Sequence, residues 1–260
     1  MKNRTLLILF LTAFIIGLLA FAPATLIEGP ANRAMAPHAA LSVSGGTIWF
    51  GNGTLLLFPT ARPVTVPISW RFDPLALWRL RVGYYLQANS ASIAGNTRIG
   101  AGFGSIQLRD MALKIDTVLI SRFHPLVSLL DPRGTLRINI NNDDSITSPY
   151  QLQHDIPSAE GKLIVQIDSL ILPSLSPRPL GIYEIAIKFD HTRAEFAFNR
   201  ATGQLKLDGG GTVAWGNPRT FAYQGMANAP RDQAQLWSQL SAVGKPTADG
   251  RLKIDVNSKW

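Results

Sequence analysis

The chain of 260 residues carries 25 Lys and Arg against 17 Asp and Glu, a formal charge of +8, with 16% charged and 46% hydrophobic residues. That balance excludes intrinsic disorder, which needs low hydrophobicity and high charge, and 22 Gly with 17 Pro are too few for a collagen-like or low-complexity chain. The sequence has no cysteine, which removes disulfide scaffolds, thiolate metal sites and cysteine nucleophiles.

Lys2 and Arg4 precede an apolar run of seventeen residues, Leu6 to Ala22, interrupted by Thr12 and Gly17. As a helix this run rises about 25 Å against about 30 Å of bilayer core, and Thr5 and Pro23–Ile27 can extend it. Two readings compete. One is an uncleaved transmembrane anchor. The other is a signal peptide cut after Ala22-Pro23-Ala24 or Ala20-Phe21-Ala22. The run exceeds the about 7–15 apolar residues of a signal, which favours the anchor. Under either, the N-terminal cations predict that residues 30–260 are translocated.

Beyond residue 30 the dominant pattern has period two, the mark of half-buried strands. Five segments open with Gly and then alternate: Gly134–Ile140, Gly161–Ile167, Gly181–Ile187, Gly203–Leu207 and Gly250–Val256. Val64–Phe72, Ile106–Ile115 and Arg193–Phe198 alternate as well. Polar residues at the intervening positions of several segments give one wet face, so an antiparallel sheet is expected. Helical signals are few. Asp73-Pro74 reads as a cap followed by Pro at the first helical position, leading into Leu75–Leu80. Phe123–Leu130 is a short helical candidate, and Asp232–Val243 places Leu236, Leu240 and Val243 on one face before Gly244. The expected fold is mainly β, a mostly antiparallel, curved sheet behind one N-terminal membrane helix, with two or three short helices.

A loose repeat, Gly45-Gly-Thr-Ile-Trp-Phe-Gly51 and Gly210-Gly-Thr-Val-Ala-Trp-Gly216, suggests two strands whose Trp fills the core and whose Gly make bulges or turns. Residues that carry chemistry do not converge. His38, His124, His154 and His191 show no local zinc spacing. Gly-x-Ser-x-Gly and Gly-Lys-Ser/Thr loops are missing from the sequence. Asp143-Asp144 lies in a stretch without the Gly and Glu of a calcium loop, and reads as a solvated turn. Gly100-Ala-Gly-Phe-Gly104 precedes a strand rather than a helix, so it reads as a turn and not as a dinucleotide loop. Catalytic residues, cofactor and metal ligands are therefore not assigned.

Charge is uneven. Arg62 to Arg137 holds ten basic and four acidic residues, whereas residues after Arg137 are balanced. Arg62, Arg71, Arg79, Arg81, Arg98 and Arg109 are the candidate basic docking face, for anionic lipid headgroups or an acidic subunit. A solvated strand face is the plainer alternative. Nucleic acid is not expected, because no groove-reading motif accompanies the charge.

These elements in this order resemble type II secretion system protein N. The resemblance rests on Ser44–Gly51, on Val66-Pro-Ile-Ser-Trp-Arg-Phe-Asp-Pro-Leu75, on Leu180-Gly-Ile-Tyr183, on Gly225-Met-Ala-Asn-Ala229, and on Leu236–Gly244 followed by Asp249-Gly-Arg251. Gly46, Thr47, Trp49, Gly51, Trp70 and Pro74 are the motif residues, with partner contact as an alternative to a core role. The resemblance implies an accessory inner-membrane component of the machine that exports folded proteins across the outer membrane, without catalytic residues. It implies a cytoplasmic stretch at 1–4, a transmembrane anchor at 5–27 and a periplasmic β-rich domain at 28–260, in halves of about 41–140 and 141–260. The implied partners are other secretion subunits and the inner membrane. The competing hypothesis is a periplasmic protein whose sheet forms an apolar groove for a lipid or hydrophobic ligand. An outer-membrane barrel ranks lower, because too few segments reach the about 9–11 residues of a membrane strand.

Overall fold

The computed structural model describes residues 2–58, 63–122, 131–141, 143–149, 158–174, 176–216, 218–229, 234–241 and 244–259. The backbone begins with helix α1, Lys2–Ala20. Its described apolar side chains are exposed on every side, with Leu9 and Phe10 both 68% accessible. Among the described residues, no helix is long and apolar enough to cross a membrane. The helix stops at Ala20 rather than running on through Pro23–Ile27, and a separate helix α2, Thr25–Met35, follows.

Alternating segments then build one antiparallel sheet of 15 strands. In chain order these are β1 (Ala39–Gly46), β2 (Phe50–Leu57), β3 (Val64–Asp73), β4 (Arg81–Asn89), β5 (Ile93–Gly102), β6 (Ser105–Asp116), β7 (Arg133–Asn139) and β8 (Ile146–Pro149). They continue as β9 (Ala159–Leu172), β10 (Ser176–His191), β11 (Arg193–Gly203), β12 (Lys206–Ala214), β13 (Thr220–Asn228), β14 (Gly244–Pro246) and β15 (Leu252–Lys259). Neighbours in the sheet are almost always neighbours in sequence. The exceptions are β8, which pairs with β6 and β9, and β14, which lies outside β15. Pairing of β7 with β9 carries the sheet without a break from the first half of the chain into the second.

Period two explains which face each strand buries. Val64 and Val66 of β3 are buried between exposed Thr65 and Pro67. They pack with Leu119 of helix α3, Thr117–Ser121, into one apolar cluster. A second cluster gathers Leu180, Tyr183, Leu205, Tyr223, Leu252 and Ile254 under Leu236. Leu236 belongs to helix α4, Ala234–Ser241, and has no accessible surface. Burying such a leucine stabilises the fold by about 2 kcal/mol. The helix expected at Asp232–Val243 therefore exists within the described residues 234–241, whereas Phe123–Leu130 lies outside them.

Asp73 caps the turn after β3, accepting a hydrogen bond from Leu75 N at 3.1 Å, and the turn Pro74–Arg79 is a 3-10 helix. Gly100–Gly104 spans the β5–β6 hairpin, whose turn is Phe103-Gly104. Gly203–Leu207, read as a strand, is instead the turn where β11 ends and β12 begins. Trp49 and Trp215 lie in connections just outside strands and are only half-buried, so they do not fill the core as expected. The Gly flanks move the chain off the sheet before the aromatic residue is reached.

Candidate functional site

The first motif is built where α1 gives way to the sheet. Gly46 and Gly51 face each other across the β1–β2 hairpin, and Gly51 faces Trp70 of β3. A Cβ on Gly51 would stand 2.4 Å from Trp70 Cζ2, so only glycine lets the indole lie flat there. Trp70 Nε1 donates to the Thr47 carbonyl at 3.2 Å. The Thr47 hydroxyl accepts from Trp49 N at 3.2 Å and Phe50 N at 3.3 Å, which fixes the turn between the strands. Trp49 meets Phe72 edge to face at 4.9 Å. The chain leaving α1 is bound to this same hairpin: Ile48 N donates to Ala22 O at 2.9 Å and Ala24 N donates to Gly46 O at 3.1 Å. Ala24 is fully buried. Gly46, Thr47, Trp49, Gly51 and Trp70 thus come together and hold the exit of α1 on the sheet. Pro74 stands apart, exposed at the start of the 3-10 turn.

The second feature is basic. Arg71, Tyr85, Arg98 and Arg109 occupy directly opposed positions on β3, β4, β5 and β6, so they form one row across the sheet. The guanidinium of Arg98 lies 4.5 Å, and that of Arg71 5.3 Å, from the centre of the Tyr85 ring. Both are within cation–π range. Arg98 Nε also pairs with Asp110 Oδ2 at 3.0 Å. With Arg79 these side chains line a groove of about 710 Å³. A neighbouring depression of about 330 Å³ shares Arg79, Arg98 and Arg109 and adds Arg81, whose Nη2 donates to Ser105 Oγ at 3.3 Å. Of the six arginines expected on one face, five converge here, and Arg62 lies outside the described residues.

The third feature is an apolar groove, whose helical cover was not expected from the sequence. Helix α2 sets Ile27, Ala31 and Met35 over the other side of β3, where Val66, Ile68 and Leu86 complete an apolar groove of about 500 Å³. Spacing of four residues puts the three α2 side chains on one stripe. Gly29-Pro30 masked this helix in the sequence, although the stripe itself was the available signal.

A family model for type II secretion system protein N matches residues 38–255. The chain belongs to that family. The match runs from the start of β1 into β15, so it covers the sheet up to residue 255, with the Thr47 turn, Trp70 and the arginine row. Helices α1 and α2 precede it. As a family member the protein is a component of type II secretion. No curated protein and no solved structure matches the chain.

Proposed function

We propose that this protein N is a non-catalytic tether and assembly component, held in the inner membrane by residues 5–27 with its sheet in the periplasm. The carrying observation is the stitching of Ala22–Ala24 to the β1–β2 hairpin at Gly46 and Ile48, directly after a helix whose apolar side chains face outward. A helix apolar on all sides buries that surface in lipid or protein, and the buried segment after it makes a stiff joint with the sheet. The basic groove then lies on a body of fixed orientation, available to secretion subunits or to the inner membrane surface. The motif residues act in this reading as the joint, and the arginines as the docking face.

Fractionation with alkaline extraction tests the tether. The full chain is expected in the inner-membrane pellet, and a Leu9→Arg/Phe14→Arg variant is expected to be extracted. Recovery of the wild-type chain in the soluble or outer-membrane fraction refutes the reading. In-cell crosslinking from positions 71, 79 and 98 is expected to capture secretion subunits.

A second reading is favoured by the apolar groove under α2. Its lining is almost free of polar atoms and suits an acyl chain or another hydrophobic ligand. Mass spectrometry of lipid extracted from the purified chain tests it. Lipid is expected to be present, and to be depleted in an Ala31→Trp variant that fills the groove.

A further inference from the structure

The arginine row has more positive charge than its own protein partners answer. Four guanidinium groups line the larger groove against a single carboxylate, that of Asp110. Arg98 and Arg109 stand directly opposite each other in the β5–β6 register. Like charges at opposed positions destabilise a sheet. Arg109 Nε and Arg81 Nη1 are both shielded from solvent without a hydrogen-bond partner among the described residues. A buried donor left unpaired is costly, more so when it is charged. Tyr85 holds the Arg71 and Arg98 planes beside its ring, and Asp110 fixes Arg98, so the forks are oriented before anything binds.

We infer that this groove is a binding site for a phosphate-bearing anion, held by Arg71, Arg98 and Arg109, with Arg79 and Arg81 at its margin. Guanidinium forks approach from three strands, β3, β5 and β6, which suits a tetrahedral group with three free oxygens better than a planar carboxylate. A volume of about 710 Å³ exceeds what a bare phosphate ion fills and leaves room for a substituent such as a glycerol headgroup. A docked acidic protein instead needs about 800 Å² of surface on each partner, and the unpaired donors here are gathered in a recess. The inference rests on the reading of this face as a recognition surface. It supplies the chemistry recognised.

The test uses the full chain in a neutral detergent and follows melting temperature and binding heat. One arm adds inorganic phosphate and the other adds glycerophosphoglycerol, a lipid headgroup without acyl chains. Binding is expected in at least one arm and to weaken with added salt, as charge pairing requires. Tighter binding of the headgroup by about tenfold or more assigns a lipid source, and equal affinities assign free phosphate. Arg109→Met is expected to weaken binding about tenfold or more. Without ligand this variant is expected to melt no lower than wild type, because it removes the opposed charge and the unpaired donor. A merely structural Arg109 would give the reverse, a lower melting temperature and an unchanged ligand response. Arg71→Gln, at an exposed position, serves as the second variant and is expected to lose affinity without loss of fold. Absence of binding in both arms, or equal binding by wild type and both variants, overturns the site. Neither result bears on the tether, which fractionation tests separately.

Discussion

At Gly51 one hydrogen atom decides the packing of a whole hairpin. Replacing it by methyl drives a carbon into the face of Trp70, whose indole has no free direction because its Nε1 is committed to Thr47. Gly51→Ala is expected to destabilise the fold by about 1–3 kcal/mol in denaturant unfolding, the usual range for overpacking. Tyr183 makes a similar point in the second cluster. Burial pushes its hydroxyl up to about 12, and that hydroxyl donates to Leu205 O at 2.8 Å. Tyr183→Phe is expected to cost about 1 kcal/mol, the net value of one such bond. At the β10–β11 turn, a hydrogen bond that the His191 ring donates to Asp190 raises His191 above its usual 6.5, and the Glu160 carboxylate at 2.8 Å adds to this. Because the folded value is the higher one, the stabilisation is complete below pH 6.5 and is lost as pH rises through the raised value. An NMR titration of Asp190→Asn is expected to return His191 toward 6.5. A wild-type His191 that titrates at 6.5 or below would show that the ion cluster does not form.

Among the elements, α2 has two jobs on two stripes. Ile27, Ala31 and Met35 cover the apolar groove. Glu28 and Asn32, one position along, reach the outer edge of β1. Asn32 takes the place of a strand residue there: its Nδ2 donates to Leu41 O at 3.1 Å, and its Oδ1 accepts from Leu41 N at 2.5 Å. Val43 N donates more weakly to Glu28 at 3.5 Å. Asn32→Ala is expected to cost about 1 kcal/mol and to raise self-association in sedimentation, because it uncovers edge donors and acceptors. The strands were legible where alternation was long, as in Val64–Phe72. Gly203–Leu207 was misread because five residues of alternation fit a turn between strands equally well. The arginines were legible as one basic stretch, but their alignment into a row across the sheet was not. Its members are separated by irregular intervals, and a bulge between Asn96 and Arg98 resets the β5–β6 register. Register depends on pairing rather than on local sequence, and a one-residue slip would send Arg98 to the opposite face.

For the molecule as a whole, meandering connectivity places the basic groove, the apolar groove and the α1 joint on one stretch of sheet, strands β1 to β6. This is the more basic half of the sequence, so the charge asymmetry seen in composition is a spatial one. Type II secretion was approachable from the order of weak motifs, each of which proves to occupy a structural corner: the Thr47 turn, the Asp73 cap, the Leu180–Tyr183 core and the α4 lid. A basic face and an apolar groove were both approachable, but their walls were not, since each takes them from residues far apart in sequence. The two ends of the sheet differ as well. Asn32, Glu28 and Ala24 occupy the β1 side. On the other side, β14 pairs only with Leu252–Ile254, and Asp255–Lys259 of β15 has no outer strand among the described residues. Among the described residues, strand addition is thus hindered along β1 and unhindered along Asp255–Lys259. A unit with one such edge can accept a single strand from a neighbour, or join its twin across a two-fold axis and finish.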